Sequence, residues 1–253
     1  MYLFYTPNIT EPDYLLNEEE SAHCIRVLRK RAGDIIQTID GKGGFYKAEI
    51  TGTDPKKCTI KIIGSVKEHG KRDFYLHLAV APTKNIERFE WFLEKATEIG
   101  IDEITPIRCE HSERTIVKTE RLNKVVITAI KQSLKAYLPK LNEMVSYDAF
   151  IKKQFMGGKY IAHCHAPLSS GRGAGLAFGK PLATEGGEVP HLKTAYTPTQ
   201  PALVLIGPEG DFSKEEVEAA IKHGFKEISL GKNRLRTETA AVVACHAINL
   251  AND

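Results

Sequence analysis

Two glycine-containing turns near the C-terminal end combine the residue types most suited to holding a ligand. The first, LIGPEGDFS at 205–213, follows an apolar run, and the second, SLGKNRLRTETA at 229–240, leads into an apolar helical pattern. Their glycines would let the backbone approach a ligand closely. Glu209 and Asp211 would repel phosphate, and the first turn has neither the P-loop ending nor the GxGxxG spacing of nucleotide sites. The turns therefore predict a cationic or zwitterionic ligand, with ordinary ligand-free turns as the alternative.

S-adenosylmethionine is a ligand of this kind, because it has a positive sulfonium centre and no phosphate. Its adenine ring requires an apolar slot and hydrogen bonds from the backbone. Micromolar affinity needs about 8 kcal/mol of binding free energy, of which a helix dipole supplies only about 0.3–1 kcal/mol. Ring burial and several hydrogen bonds must therefore supply most of the affinity.

The elements that must position these turns alternate between strand and helix. Ser213 and Glu216 have the spacing of a capping box at the start of one helix. Such alternation is typical of a mainly parallel sheet with helices on both faces, which binds ligands at the carboxyl ends of its strands. Periodicity predicts strands at 74–82, 103–109, 159–164, 201–207 and 227–231, and helices at 85–99, 119–138, 213–224 and 237–250.

The N-terminal residues have a different pattern. A short helix at 17–30 precedes three strands rich in β-branched residues, at 34–40, 44–52 and 58–66, which predict a small barrel. The polar stretch 67–73 resembles a linker, so we expect one domain at 1–70 and another at 74–253. Residues 165–200, rich in Gly, Pro, Ser and Thr, interrupt the second pattern and predict a mobile insertion.

Composition excludes several classes of protein. The five cysteines are scattered without a CxxC pair, which favours a reducing, cytoplasmic setting. No apolar run reaches the roughly 18 residues of a membrane span, and the N-terminus lacks the features of a signal peptide. The triplet 163–165 (HCH) has no partner pair with zinc spacing, so we expect no metal.

Basic residues are clustered, although the net charge is only +3. Such clusters can neutralise RNA phosphates, and a solvated helix face is the alternative. One cluster comprises Arg26, Arg29, Lys30 and Arg31, and the other follows the predicted helix 119–138 with Lys118, Arg121, Lys124, Lys131, Lys135 and Lys140.

These motifs together resemble the RsmE family of SPOUT-class methyltransferases, which methylates N3 of a uridine in 16S ribosomal RNA. The strongest matches are LVLIGPEGDFSKEEVEAA (203–220) and SLGKNRLRTETAAVVA (229–244). The resemblance extends over nearly the whole chain, with its motifs in the same order. Supporting matches are His23 with RVLRKRAGD (26–34), EKATEIGIDEITPI (94–107), SERTIVK (112–118) and KQSLKAYLPKL (131–141).

The resemblance implies a SPOUT-type α/β domain with a deep trefoil knot, an N-terminal PUA-like β-barrel that binds RNA, and a homodimer. The last helix, 237–250, is apolar almost all round, which agrees with a dimer interface and equally with a buried core helix. S-adenosylmethionine would bind in the knot, in contact with Leu205, Ile206, Gly207, Pro208, Glu209, Gly210, Ser229, Leu230, Gly231, Leu235, Arg236 and Thr239.

Arg236 and Glu238, beside the expected cofactor, are the predicted catalytic residues. Uracil N3 is protonated at neutral pH, so Arg236 would stabilise the negative charge that develops on the base oxygens. Glu238 would orient Arg236 or receive the proton, and a purely structural Arg–Glu pair is the alternative. The predicted RNA contacts are Arg26, Arg29, Lys84 and Arg114.

Three motifs depart from the family's pattern. Asp211 stands where a second glycine often follows PEG, and LGPR becomes LGKN at 230–233. QSGR becomes QSLK at 132–135, and the lysine lacks the bidentate fork of arginine, which puts an RNA contact there in doubt. Two rival functions remain open. One is a different RNA methyltransferase of the same class, acting for example on a ribose 2′-hydroxyl, and the other is a non-catalytic RNA-binding assembly factor.

Overall fold

The computed structural model describes residues 2–9, 12–165 and 189–253, which form two compact units. The first unit comprises Met1–Asp73 with Glu120–Pro139, and the second comprises Phe74–Thr119 with Lys140–Asp253. Residues 120–139 therefore belong to the same compact unit as the N-terminal residues. The domain boundaries expected from the sequence, 1–70 and 74–253, stay a prediction. The insertion expected at 165–200 lies mostly outside the described residues, so its expected mobility also stays a prediction.

Within the described residues the chain forms twelve strands, seven α-helices and one π-helical turn, His23–Val27. The strands are β1 (Leu3–Tyr5), β2 (Asp13–Leu15), β3 (Ile35–Ile39), β4 (Phe45–Asp54), β5 (Lys57–Val66), β6 (Leu76–Val80), β7 (Glu103–Arg108), β8 (Lys140–Leu141), β9 (Val145–Ser146), β10 (Gly158–Ala162), β11 (Ala202–Ile206) and β12 (Lys226–Ile228). The helices are α1 (Glu18–Ala22), α2 (Ile86–Ile99), α3 (Thr119–Gln132), α4 (Tyr147–Ile151), α5 (Leu192–Ala195), α6 (Lys214–Lys222) and α7 (Thr237–Leu250).

The first unit is built on a five-stranded sheet in the order β1-β3-β4-β5-β2. β1 pairs with β3 in parallel, and the other neighbours are antiparallel. The three predicted strands are confirmed as β3, β4 and β5. Their inward residues, with Phe4, Leu16 and Cys24, form a core that is almost fully buried. β1 and β2 escape prediction because strands of three residues show no measurable alternation.

The end of α3 corrects the sequence prediction, which extended this helix to Leu138. The helix ends at Gln132, because Leu134 adopts the left-handed conformation with φ of 56°. The amide of Lys135 then donates to the carbonyl of Ile130 at 3.0 Å, which is the closing bond of a Schellman motif. This motif usually has a glycine at the left-handed position, and a leucine there is not a recognisable stop signal.

The predicted basic stripe along this helix is wrong in part. Lys135 and Lys140 lie beyond the end of α3. Lys131 pairs with the buried Glu20 at 2.6 Å, and Lys140 pairs with Glu103 at 3.1 Å. The ammonium groups of Lys131 and Lys140 therefore take part in ion pairs within the protein. Fewer positive charges of this stripe remain available for phosphates.

The second unit contains a parallel sheet in the order β12-β10-β11-β6-β7-β8, with β9 also pairing with β7. All of its pairings between described residues are parallel, as predicted from the alternating elements. β6 and β11 are buried at every position, which is expected of central strands covered on both faces. The capping box predicted for α6 is present. Because β10 lies between β11 and β12, the carboxyl ends of these three strands are neighbours.

α7 begins at Thr237, as predicted, and packs against α2. The Asn249 side chain donates to the Gly100 carbonyl at 2.8 Å, so the C-terminal ends of the two helices are tied together. α7 buries one face, while Leu250 remains 49% exposed. None of the helices in the described part of the chain has both the length and the apolar character of a membrane span. The trefoil knot stays a prediction.

Candidate active site

A cavity of about 480 Å³ opens at the carboxyl ends of β10, β11 and β12. This volume is in the range of small-molecule sites, and this edge of a parallel sheet is where such sites form. Both predicted turns reach it. Its lining includes nine of the predicted cofactor contacts: Ile206, Gly207, Pro208, Glu209, Ser229, Leu230, Gly231, Leu235 and Arg236.

Three predicted cofactor contacts do not line this cavity. Leu205 is fully buried in the core beneath it. Gly210 packs against His111, where a Cβ would lie 2.9 Å from the His111 Cβ. Thr239 lines a second, neighbouring cavity. Leu205 and Gly210 thus support the walls of the site.

Two glycines are needed in the lining for different reasons. Gly231 has φ of 124°, a conformation that other residues rarely adopt, although a Cβ there would meet no atom within 4 Å. At Gly207, a Cβ would lie 3.0 Å from the Phe212 ring and 3.2 Å from the Phe212 amide nitrogen, so a side chain would fit only if Phe212 moved. Apolar walls from Ile206, Ile228 and Leu235 complete a slot that would suit a flat ring.

The end of β10 supplies lining residues that the sequence analysis considered only for metal binding. His163 and Cys164 line the cavity between the two predicted turns. The His163 Nε2 lies 3.1 Å from Glu227, and burial lowers the pKa of the imidazole. A neutral ring that donates from Nε2 leaves Nδ1 as an acceptor, and Nδ1 is buried without a partner among the described residues. The sequence analysis missed both residues because the position of β10 between β11 and β12 depends on contacts that the sequence does not show.

Asp211 explains how this chain tolerates the loss of the family's second glycine. Its φ of 64° lies in the left-handed region, which aspartate visits more readily than most residues. Its carboxylate accepts from the amides of Cys164 at 2.8 Å and Phe212 at 2.9 Å. Asp211 therefore joins the turn after β11 to the end of β10, across the cavity wall.

The two predicted catalytic residues lie at the start of α7. Arg236 is the exposed N-cap residue and lines both cavities. Glu238 is only 7% exposed, lines the second cavity, and has its Oε1 4.0 Å from Arg88 Nε. Among the described residues no ion pair joins Glu238 to Arg236, and the Glu238 Oε2 has no hydrogen-bond partner. The geometry thus favours Arg88 over Arg236 as the cation beside Glu238.

Lys84 and Arg114, two of the predicted RNA contacts, lie together at the rim of the second unit. The Arg114 guanidinium donates to the Thr83 carbonyl at 2.9 Å, and Lys84 Nζ lies 2.7 Å from Glu113. The Lys84 amide donates to Glu209 at 2.9 Å. Arg114 and Glu209 therefore fix the backbone at Thr83 and Lys84 by hydrogen bonds.

Arg26 and Arg29, the other two predicted RNA contacts, lie on or just after the π-helical turn of the first unit. Both are exposed, and Arg29 adopts φ of 53° where the turn ends. Within the described part of the chain, no group of three or more His, Cys, Asp or Glu side chains is arranged to hold a metal ion.

Comparison with known proteins adds to this geometry. Residues 71–249 match the RNA methyltransferase domain family, and residues 16–63 match the RNA methyltransferase PUA domain. A probable rRNA-methyltransferase from Porphyromonas gingivalis is 39% identical and superimposes with a TM-score of 0.85, covering 100% of this chain and 98% of that one.

Two further relatives have more specific names. Ribosomal RNA small subunit methyltransferase E from Neisseria gonorrhoeae, solved bound to S-adenosyl methionine, is 25% identical with a TM-score of 0.77, over 100% of this chain and 98% of that one. The protein of the same name from Synechocystis is 29% identical over 95% of this chain and 74% of its own length.

Proposed function

Because this chain belongs to the RNA methyltransferase domain family, we propose that it transfers a methyl group from S-adenosylmethionine to N3 of a uridine in 16S ribosomal RNA. The names of the Neisseria and Synechocystis relatives support the choice of small-subunit RNA. The observation that carries the proposal is the glycine-lined cavity at the carboxyl ends of three parallel strands, with Arg236 in its wall.

The lining of the cavity fits S-adenosylmethionine. Its apolar residues suit the adenine ring, and the backbone at Gly207 and Gly231 offers hydrogen-bonding groups. Glu209 and Asp211 add acidic groups to the wall, which suits a cationic ligand and disfavours phosphate. When bound, the cofactor supplies a methyl group on a positively charged sulfur.

Arg236 and Glu238 would act on the base. The exposed guanidinium of Arg236 would donate to a uracil oxygen and stabilise the negative charge that appears there when N3 loses its proton. The Glu238 carboxylate would accept the hydrogen bond of N3–H and help to remove that proton. Its Oε2, which has no partner in the described part of the chain, and its position in the neighbouring cavity support this role.

The RNA would be held largely by exposed cations away from the chemistry. Arg26 and Arg29 are free of ion pairs among the described residues, which suits phosphate contacts. Arg29→Ala should lower the slope of log affinity against log salt concentration by about 1, as expected for one lost phosphate contact. An unchanged slope would refute this contact.

The proposal includes a homodimer and a cytoplasmic location. The partly exposed residues of α7, with Leu250 at 49%, support a dimer interface on this helix. Sedimentation analysis should give twice the 28.1 kDa mass of one chain. A cytoplasmic location would follow from the substrate, because ribosomal RNA is modified where bacterial ribosomes are assembled.

One set of measurements tests the function. Calorimetry should detect S-adenosylmethionine binding, and failure to bind would favour a non-catalytic RNA-binding protein. The purified chain should then methylate small ribosomal subunits that lack the modification, and mass spectrometry of the RNA digest should find N3-methyluridine. A methylated ribose 2′-hydroxyl would instead favour the rival methyltransferase.

A further inference from the structure

A second cavity, of about 610 Å³, lies directly beside the candidate cofactor site. Four residues line both cavities, namely Arg88, Arg234, Leu235 and Arg236. A substrate in the second cavity would therefore be separated from a cofactor in the first only by this shared rim. Methyl transfer requires such adjacency, because the two reacting atoms must approach to about 3–3.5 Å.

Trp91 gives the second cavity an aromatic surface. It is the one tryptophan of the sequence, lies on α2, and is 43% exposed. Large aromatic side chains are usually more buried than this, and the exposed indole lines the cavity. A flat nucleobase stacked on an aromatic ring gains about 1–3 kcal/mol, irrespective of its sequence context.

Glu238 gives the cavity a carboxylate oxygen, Oε2, that none of the described residues uses as a hydrogen-bond acceptor. Its side chain is 92% buried, and its Oε2 has no hydrogen-bond partner among the described residues. A buried carboxylate oxygen left in this way is costly unless a ligand satisfies it. Arg88, with its Nε 4.0 Å from Glu238 Oε1, and Arg236 add donors to the same cavity.

This arrangement complements one particular base. The pairing edge of uracil presents a carbonyl oxygen, the N3–H donor and a second carbonyl oxygen. Cytosine has an unprotonated N3 beside an amino group, so it would place an acceptor against the Glu238 carboxylate. A carboxylate flanked by arginine donors therefore selects uracil by hydrogen bonding.

We propose that the second cavity receives the unstacked target uracil, with Trp91 stacked on its face and Arg88 donating to one of its carbonyl oxygens. This inference rests on the proposed methyltransferase function and adds two residues that bind the base. Enzymes that modify a base must take it out of its stack, and a pocket beside the cofactor compensates part of that cost.

Trp91 itself reports on the proposal, because the chain has no other tryptophan. The probe is a 16S RNA fragment containing the uridine that mass spectrometry has identified, compared with the same fragment carrying an abasic nucleotide there. With the full chain and saturating S-adenosylhomocysteine, the first fragment should quench the indole fluorescence and the second should not. Equal quenching by both fragments, or none by either, would overturn the proposal.

Variants provide the second test. Trp91→Ala should lower kcat/KM for RNA by about 5- to 150-fold, which corresponds to the loss of one stacked base. Trp91→Phe should recover most of the activity, and S-adenosylmethionine affinity should stay within about twofold of the original in both. Met156→Ala is the control, since Met156 is 90% exposed and lines neither cavity.

The outcomes separate three explanations. Full activity of Trp91→Ala would contradict the proposal while leaving the methyltransferase function intact. A Trp91→Ala chain that changes its oligomeric state, with normal kinetics once reassembled, would show that Trp91 belongs to a contact with a second copy. If the original chain methylates no uridine, the proposed function fails, and the base pocket fails with it.

Discussion

The parallel sheet of the second unit has polar clusters at both ends of its strands, and the two differ in how far their hydrogen bonds are satisfied. At the amino ends, His77 bonds to Thr105 at 2.8 Å, and Asn142 joins Thr105 to Glu103 at 2.7 and 2.6 Å. At the carboxyl ends, His163 Nδ1 and Glu238 Oε2 are buried without partners among the described residues. We call these the amino-end cluster and the carboxyl-end site.

The difference separates stability from function. A closed network of hydrogen bonds contributes to folding and leaves no group available to a ligand. Buried polar atoms without partners lower stability, and they are retained where a ligand completes their bonding. We therefore expect changes in the amino-end cluster to alter unfolding, and changes in the carboxyl-end site to alter activity.

The largest effect is expected at Arg236. Arg236→Ala should lower kcat by about 100- to 1,000-fold, which is the usual effect of removing one hydrogen-bond donor to an oxyanion that develops in the transition state of an enzyme. The melting temperature should change little, because the guanidinium is exposed. S-adenosylmethionine affinity should fall far less than kcat, because Arg236 is one of many residues that line the cofactor cavity. Methyl transfer under single-turnover conditions measures the catalytic rate, and calorimetry measures the S-adenosylmethionine affinity and the melting temperature. Lys232→Ala, an exposed neighbour outside both cavities, is the matched control. A full-rate Arg236→Ala chain would rule out the catalytic role.

The amino-end cluster should make stability depend on pH. Burial lowers the pKa of His77 to about 4 from the ordinary value near 6.5. Between these values the unfolded chain binds a proton that the folded chain does not. The contribution of the neutral His77 to the free energy of unfolding is therefore fully present above pH 6.5. It falls by about 3 kcal/mol as the pH decreases to 4, since one pKa unit corresponds to about 1.4 kcal/mol. Urea unfolding at several pH values measures this fall.

A variant isolates the histidine in that experiment. His77→Gln keeps a group that can bond to Thr105 and cannot gain a charge, so it should remove most of the loss between pH 6.5 and 4. Glu103 acts in a lower range: burial opposes its ionisation, but hydrogen bonds from Asn142 and Tyr75 hold its pKa at about 2. Its contribution is present above pH 4.5 and disappears as the pH falls toward 2. An unchanged pH dependence in His77→Gln would disprove the assignment.

The smallest effect is expected at Asp211, where backbone and side chain act in opposite directions. Asp211→Gly relieves the left-handed conformation and loses two hydrogen bonds, so S-adenosylmethionine affinity should stay within about threefold. Asp211→Ala loses the same bonds and keeps the strain, so affinity should fall about tenfold. Calorimetry on both variants distinguishes the two causes. Equal losses would show that the hydrogen bonds alone matter.

The sequence predicted much of the second unit because its signals are local. The turn after β11, the capping box of α6 and the start of α7 each depend on neighbouring residues, and all three are confirmed. The resemblance then connected these turns to methyl transfer.

The parts that could not be predicted depend on contacts between distant residues. β10 was recognised as a strand, but its position between β11 and β12 was not, so His163 and Cys164 were missed as lining residues. Arg88 was missed because α2 and α7, although packed together, are far apart in the sequence. The end of α3 was misplaced because a leucine in the left-handed conformation has no pattern of its own.

Cys164 has a practical consequence for chemical probing. All five cysteines lie among the described residues, and the other four are buried, so a maleimide or iodoacetamide reagent would attach selectively to this thiol. Partial burial of the thiol and the nearby Asp211 raise the pKa of Cys164, so alkylation should be slow at neutral pH and faster in mildly alkaline buffer. Because Cys164 lines the cavity, a bound ligand should protect it. The chain thus contains a natural site for covalent footprinting and for electrophilic inhibitors, without any engineered residue.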